Sequence, residues 1–322
     1  MSRGWSLLAA LGIAFPALAS VPGGDAVSLA ADYYFSRSDY SQSYALWGQA
    51  FQMQPDSVPA LFRLSELRLL YEGRQAVTQG VLDFLDTHAA LLTREARLAI
   101  HEKLGELQSV FLTDDGQSDF FQGLAHARHA DCARGLTFLS QAASLEKGNL
   151  RVLREKAQCE RKLQAYDRAH ATLKLAYQLD PFDAEVIDSL SDAYLFSGEY
   201  QKVLELFRSD AEPPHSRKQK TAQAIALYRS GATAPAMILL QALAEEPAGV
   251  APIVFFALGK SMAERPGHAA EAQRFLERFV TLVSPAPDPA LWDPYRTREA
   301  LPEAQSLLAA LAPPPSPRLE NP

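Results

Sequence analysis

The sequence is poor in the residue types that build sheets and covalent frameworks. β-Branched residues are sparse beside Leu and Ala, which disfavours strands and favours helix. Cysteine is nearly absent: Cys132 and Cys159 are the two among 322 residues. Positive charge is in deficit, with 31 Lys and Arg against 38 Asp and Glu and a formal net charge of −7. That balance argues against a general nucleic-acid binder, although it leaves room for a local basic patch. No phosphate-cradling Walker loop, GxGxxG fingerprint, GxSxG elbow or HExxH helix is present. His101-Glu102 begins the last of these, but the second His is missing. The expectation is therefore a protein with no catalytic residues, no cofactor and no metal.

What is present begins with a targeting signal. Arg3 supplies a positive start, Leu7 to Leu18 is apolar, and Ala17-Leu18-Ala19 fits the small-x-small rule for cleavage before Ser20. Residues 1–19 thus read as a secretory signal peptide. No Cys stands at the boundary to accept a lipid. The apolar run is short for a membrane span, and no second run of spanning length follows, so no integral span is expected after cleavage.

The rest of the chain is repetitive. The unit Leu150 to Asp183 carries Ala157, Ala169, Leu173, Ala176 and Pro181, and the next begins at Ala184. Ala157 and Ser191, Tyr166 and Tyr200, Ala169 and Val203, and Leu173 and Phe207 are each 34 residues apart. Gly24 to Ser57 carries Tyr34, Asp39-Tyr40, Trp47, Ala50 and Pro55 in the same register, and Gly116 to Asn149 carries Gly123, Gly135, Leu139 and Ala142. A weaker unit runs from Val58 to about His88, and Arg217 to about Ala248 and Pro252 to Val283 also fit the pattern. This pattern resembles the tetratricopeptide repeat (TPR) family, whose units place small residues where two helices cross and often end on proline. The resemblance implies an all-α fold, a right-handed superhelical solenoid of antiparallel helix pairs with the first helix of each pair lining a groove.

On this reading residues 24–92 are N-terminal repeats, 93–115 an irregular helix and joint, 116–283 a C-terminal array, 284–312 a linker and capping helix, and 313–322 a proline-rich disordered tail. The helix from Thr93 to Leu112 has no obvious partner, and Thr113 to Ser118 reads as a loop and the boundary between two arrays. Leu291 and Trp292 are expected to fold back on the last pair.

Candidate site residues follow from the repeat register. Arg151, Arg154, Gln158, Arg161 and Lys162 take inward positions of one unit, and Asp188 and Asp192 take those of the next. A basic stripe beside an acidic one suits a charged peptide, or the stripes could pair internally, for instance Arg154 with Asp188. Phe62 and Phe120 are candidate apolar anchors in a groove that could also be filled by the Thr93 helix. His126, His129, Asp131 and Cys132 have ligand-like spacing, but the register puts His126 at a packing position and His129 to Cys132 at the turn between helices. Cys132 and Cys159 fall on helices that the resemblance makes neighbours, which allows a disulfide; the alternative is two reduced thiols packed as small apolar groups.

The function implied is a non-enzymatic, periplasmic or secreted scaffold that binds another envelope or secreted protein through its concave groove, in bacterial envelope assembly or secretion. Self-association is a further option. The competing reading is a solenoid that binds or processes a cell-wall polymer, for which Asp188 and Asp192, one helical turn apart, would be the carboxylates.

Overall fold

A computed structural model describes residues 26–207, 216–246, 249–284 and 293–312. The signal segment 1–19, Gly24, most of the linker after Ser284, Leu291, Trp292 and the tail 313–322 lie outside the described residues. All regular structure among the described residues is helical. In chain order the helices are α1 (Ala26–Ser36), α2 (Tyr40–Met53), α3 (Val58–Tyr71), α4 (Arg74–His88), α5 (Arg94–Ser109), α6 (Asp114–Arg128), α7 (Cys132–Leu145), α8 (Leu150–Lys162) and α9 (Tyr166–Leu179). Next come α10 (Ala184–Phe196), α11 (Tyr200–Leu206), α12 (Arg217–Arg229), α13 (Thr233–Ala244), α14 (Pro252–Ala263), α15 (Ala269–Val283), a 3₁₀ turn (Thr297–Ala300) and α16 (Leu301–Leu311). None of them is long and apolar enough to cross a membrane.

The repeat is written into the turns as well as the side chains. Ala130, Gln164 and Gly198 all have φ between 59° and 75°, the left-handed conformation. They stand 34 residues apart, each one residue before the N-cap of a second helix. First helices begin in an equally regular way: Asn149 accepts from Val152 N–H at 3.2 Å, and Asp183 from Val186 N–H at 2.8 Å. Small residues stand where paired helices cross. A Cβ on Gly123 would lie 2.7 Å from the Leu139 side chain and 3.0 Å from the Gly135 carbonyl oxygen. These features make the fold TPR-like: antiparallel helix pairs repeated along the chain.

The chain divides into two compact units, one up to Val186 and one from Ile187. In the first, α5 has more partners than its sequence suggested. Ile100, Leu104 and Leu107 on α5 share one buried cluster with Leu61 and Leu69 on α3 and Val77, Val81 and Phe84 on α4. Lys103 Nζ, itself buried, reaches Glu66 Oε1 at 2.7 Å. Helix α5 also packs against α8, which follows it only after the whole α6–α7 pair. Asn149 donates to the carbonyls of Ser109 and Val110, and the Thr78 hydroxyl on α4 donates to Leu179 O at the end of α9, 2.7 Å away. The last pair of this unit thus folds against the second pair and the lone helix.

At the meeting point of these segments lies a buried ion pair. Arg74 and Glu146 are 5% and 1% exposed, and Arg74 Nη2 is 3.0 Å from Glu146 Oε2. Arg74 also donates to the carbonyls of Leu107, Gln108 and Val110. Glu146 accepts from the N–H groups of Leu112 and Thr113 and from the Thr113 hydroxyl. Burial pushes the Arg74 guanidinium below its ordinary pKa, and the Glu146 carboxylate draws it back up. The segment expected to be a joint is therefore among the most securely held in the unit. It does not separate compact units; the division falls between Val186 and Ile187 instead. Nor is Thr113 to Ser118 a loop: Thr113 caps α6 through Gly116 N–H, and Asp114 and Asp115 form its acidic first turn.

In the second unit, α14 is buried from Ile253 to Gly259 and packs against α12, α13, α15 and α16. Helix α16 packs on α14 and α15, and Lys260 on α14 pairs with Glu303 on α16 at 2.6 Å. Arg296 donates to Phe196 O and lies over the Phe196 ring.

Two expectations follow. Arg74→Met leaves the Glu146 charge buried, and it should cost roughly 3–5 kcal/mol in urea unfolding followed by circular dichroism. Adding Glu146→Leu should not restore the loss, because the Leu112 and Thr113 N–H groups then lose their acceptor; a cost under about 1 kcal/mol for the single variant would contradict the role given to the pair. Gly123→Ala should cost roughly 1–3 kcal/mol in the same assay, since backbone as well as Leu139 must move.

Candidate functional site

Helix α8 turns two faces in opposite directions. Leu150, Val152, Leu153, Ala157 and Cys159 are buried, while Arg151, Gln158 and Lys162 are exposed and Arg154 and Arg161 half-buried. The spacing 151, 154, 158, 162 follows helical periodicity, so these side chains form one stripe.

Their environments differ. The Arg151 guanidinium stands 5.0 Å from the Phe120 ring centre and 5.9 Å from that of Phe121. A cation over rings, not a carboxylate, holds it in place. Arg154 takes its partners from the turn after α9, bonding Asp183 at 3.2 Å and pairing with Glu185. The pairing expected with Asp188 is made with these two acids. Among the described residues no ion pair involves Arg128, Arg151 or Lys162.

Phe120 is not a groove anchor. It is fully buried, in the cluster of Phe111, Leu139 and Val152. Its neighbour Phe121 is 47% exposed and is the aromatic that reaches the surface. Adjacent residues on a helix point about 100° apart, so only one of the two could enter the core. The Phe-Phe doublet was the signal, and the register favoured the wrong member. Phe62 is likewise not an open anchor: it is half-buried against the cluster that α5 completes. The lone helix fills the groove over Phe62 and Leu69. Phe35 is covered by Arg63, whose guanidinium is 4.8 Å from its ring centre.

The acidic residues belong to the second unit. Asp192 is 3% exposed and pairs with Lys218 at 2.8 Å. Asp188 is half-buried. Tyr295 lies close by, its phenol pushed well above the ordinary range by burial and then by the charges of Asp192, Asp188 and Asp293. Asp192 is thus an internal ion-pair partner, not an open groove residue.

The His-rich segment is a turn. Asp131 caps α7 through Arg134 N–H at 3.2 Å, Ala130 is left-handed, and His126 stacks on Phe138 with ring centres 5.5 Å apart. Among the described residues no group of three or more His, Cys, Asp or Glu is placed to share a metal. Cys132 and Cys159 are free and buried, and both belong to one apolar cluster.

At the C-cap of α9, Asp180 is 2% exposed and accepts from Phe182 N–H. Burial, chiefly, lifts its carboxyl to about 6 from an ordinary 3.8. A folded-state value above the unfolded one means the folded chain holds the proton more tightly. Stability should therefore fall as pH rises from about 4 to about 6, and the loss should be complete above that. Asp180→Asn keeps an acceptor for Phe182 N–H without the charge. Its melting temperature should rise relative to the parent across that window, levelling off at a gain of roughly 2 kcal/mol; a difference that does not vary with pH would contradict this.

No protein-family model matches the chain, and no curated protein matches it. Among solved structures it is similar to a tetratricopeptide repeat protein from Parabacteroides merdae ATCC 43184, with 11% identity, 88% of this chain and 97% of that one covered, and a TM-score of 0.39. It is also similar to the TPR domain of P58(IPK), with 14% identity, 88% and 98% coverage and a TM-score of 0.32. The complex of the TPR2AB domain of yeast Sti1 with pHSP90 follows, with 11% identity, 88% and 96% coverage and a TM-score of 0.29.

Proposed function

We propose that this chain is an exported, non-catalytic scaffold that holds a partner protein on the basic face of its first unit. The observation that carries this reading is the α6–α8 surface. Arg151 is presented on aromatic rings, Phe121 is exposed beside it, and Arg128 and Lys162 extend the positive charge. A guanidinium held by rings keeps its hydrogen-bond donors available to a carboxylate, and an exposed ring gives a neighbouring apolar side chain somewhere to bury. The fitting partner is an acidic segment with an apolar or aromatic residue in it. Because the protein itself carries net negative charge, such a segment is attracted locally while nonspecific acidic partners are repelled overall.

Export rests on the N-terminal segment, with its Arg3, apolar run and Ala17-Leu18-Ala19 site. The compartment is then the periplasm or the exterior, and the partner another envelope or secreted protein in an assembly or secretion process.

Affinity capture from the native envelope, read by mass spectrometry, tests both parts. The mature chain should begin at Ser20, and an acidic partner should be recovered. Arg151→Glu combined with Lys162→Glu should reduce that recovery at least about tenfold while leaving the helical circular dichroism spectrum unchanged, and raised salt should weaken capture by the parent chain. Equal recovery by a folded double variant would overturn the docking face; a chain that keeps residues 1–19 and stays in the cytoplasm would overturn the address.

A further inference from the structure

The chain's two cysteines are distant in sequence and together in space. Cys132 is the first residue of α7, and Cys159 lies in the third turn of α8. The two helices pack directly on each other. Both thiols are buried, 4% and 1% exposed, in the cluster of Phe111, Phe120, Leu139 and Val152. Small apolar packing would be served equally by two alanines. What distinguishes this site is that the two thiols share one dry cluster on helices that pack directly on each other, a placement from which a disulfide can be closed.

We propose that Cys132 and Cys159 are a disulfide site, oxidised by thiol–disulfide exchange to one bond joining the start of α7 to the third turn of α8. The chemistry balances as an exchange. One cysteine, as thiolate, attacks a sulfur of an external disulfide and expels one thiolate from it. The second cysteine, as thiolate, attacks the resulting mixed disulfide and expels the other. The protein loses two electrons and two protons, and the external disulfide becomes two thiols.

The surroundings say when the bond forms. Burial and the neighbouring Cys132 push the Cys159 thiol up to about 12, so in the folded dithiol it is a poor nucleophile at neutral pH. Exchange therefore belongs to the folding chain, where both thiols are open, and the finished bond is then shielded from reductant. Arg128 ends α6 four residues before Cys132, and Lys162 follows Cys159 by three, so the bond ties together the segments that carry these two cations. The inference does not depend on the α6–α8 face binding anything, and its test does not involve a partner.

The mature chain, reduced and unfolded, is refolded in a buffer of reduced and oxidised glutathione, then denatured and treated with iodoacetamide. The expected product is a monomer lighter by two hydrogens, unlabelled until a reductant is added. Its melting temperature should drop by roughly 5–10 °C on reduction. Cys132→Ser and Cys159→Ser should each abolish that reductant-dependent drop. Two free thiols per chain after refolding, covalent dimers, or stable glutathione adducts would each overturn the proposal. Because the mass of the parent chain decides the matter, the test stands even if a serine variant fails to fold.

Discussion

At the centre of the first unit stands one buried charge pair. Arg74 opens α4 and Glu146 ends α7, so their contact joins segments 72 residues apart. Around it converge the carbonyl end of α5, the connection from Val110 to Thr113, and the cap of α8. A pair removed from water is costly unless its remaining donors and acceptors are satisfied. Here nearly every one is used on backbone groups that have no helical partner of their own. The pair thereby solves a problem that the lone helix creates. A helix without a second member leaves its C-terminal carbonyls and the following N–H groups without a regular place in the stack.

Much of the architecture was legible in the sequence, because the repeat places similar residues at similar stresses. Small residues at helix crossings, capping Asn and Asp, and the turn before each second helix are local requirements, and local requirements recur with the period. The partners of α5 were not legible. Ile100, Leu104 and Leu107 announced an apolar face, but nothing in the chain says that α8 would cover the other side after two intervening helices. Arg74 was hidden for a related reason: an arginine beside a turn looks like a solvated surface residue. Only the three-dimensional convergence of Glu146 and five backbone groups shows otherwise.

The candidate face was legible as a stripe and illegible in its details. Helical spacing groups Arg151, Arg154, Gln158 and Lys162 on one side of α8, because periodicity alone decides which side of a helix a residue occupies. Whether each charge is available depends on neighbours from other helices. Arg154 is engaged by Asp183 and Glu185, whereas Arg151 rests on rings. The Phe120–Phe121 exchange is the sharpest case, since a rotation of one residue moves an aromatic from the core to the surface.

The contact from Thr78 to Leu179 spans 101 residues, and it changes how the first unit must respond to force. A stack whose members touch only their neighbours can be peeled from one end, pair by pair, like a zipper. Here the final pair is tied to the second, so peeling it away must break this contact as well as those with its neighbours.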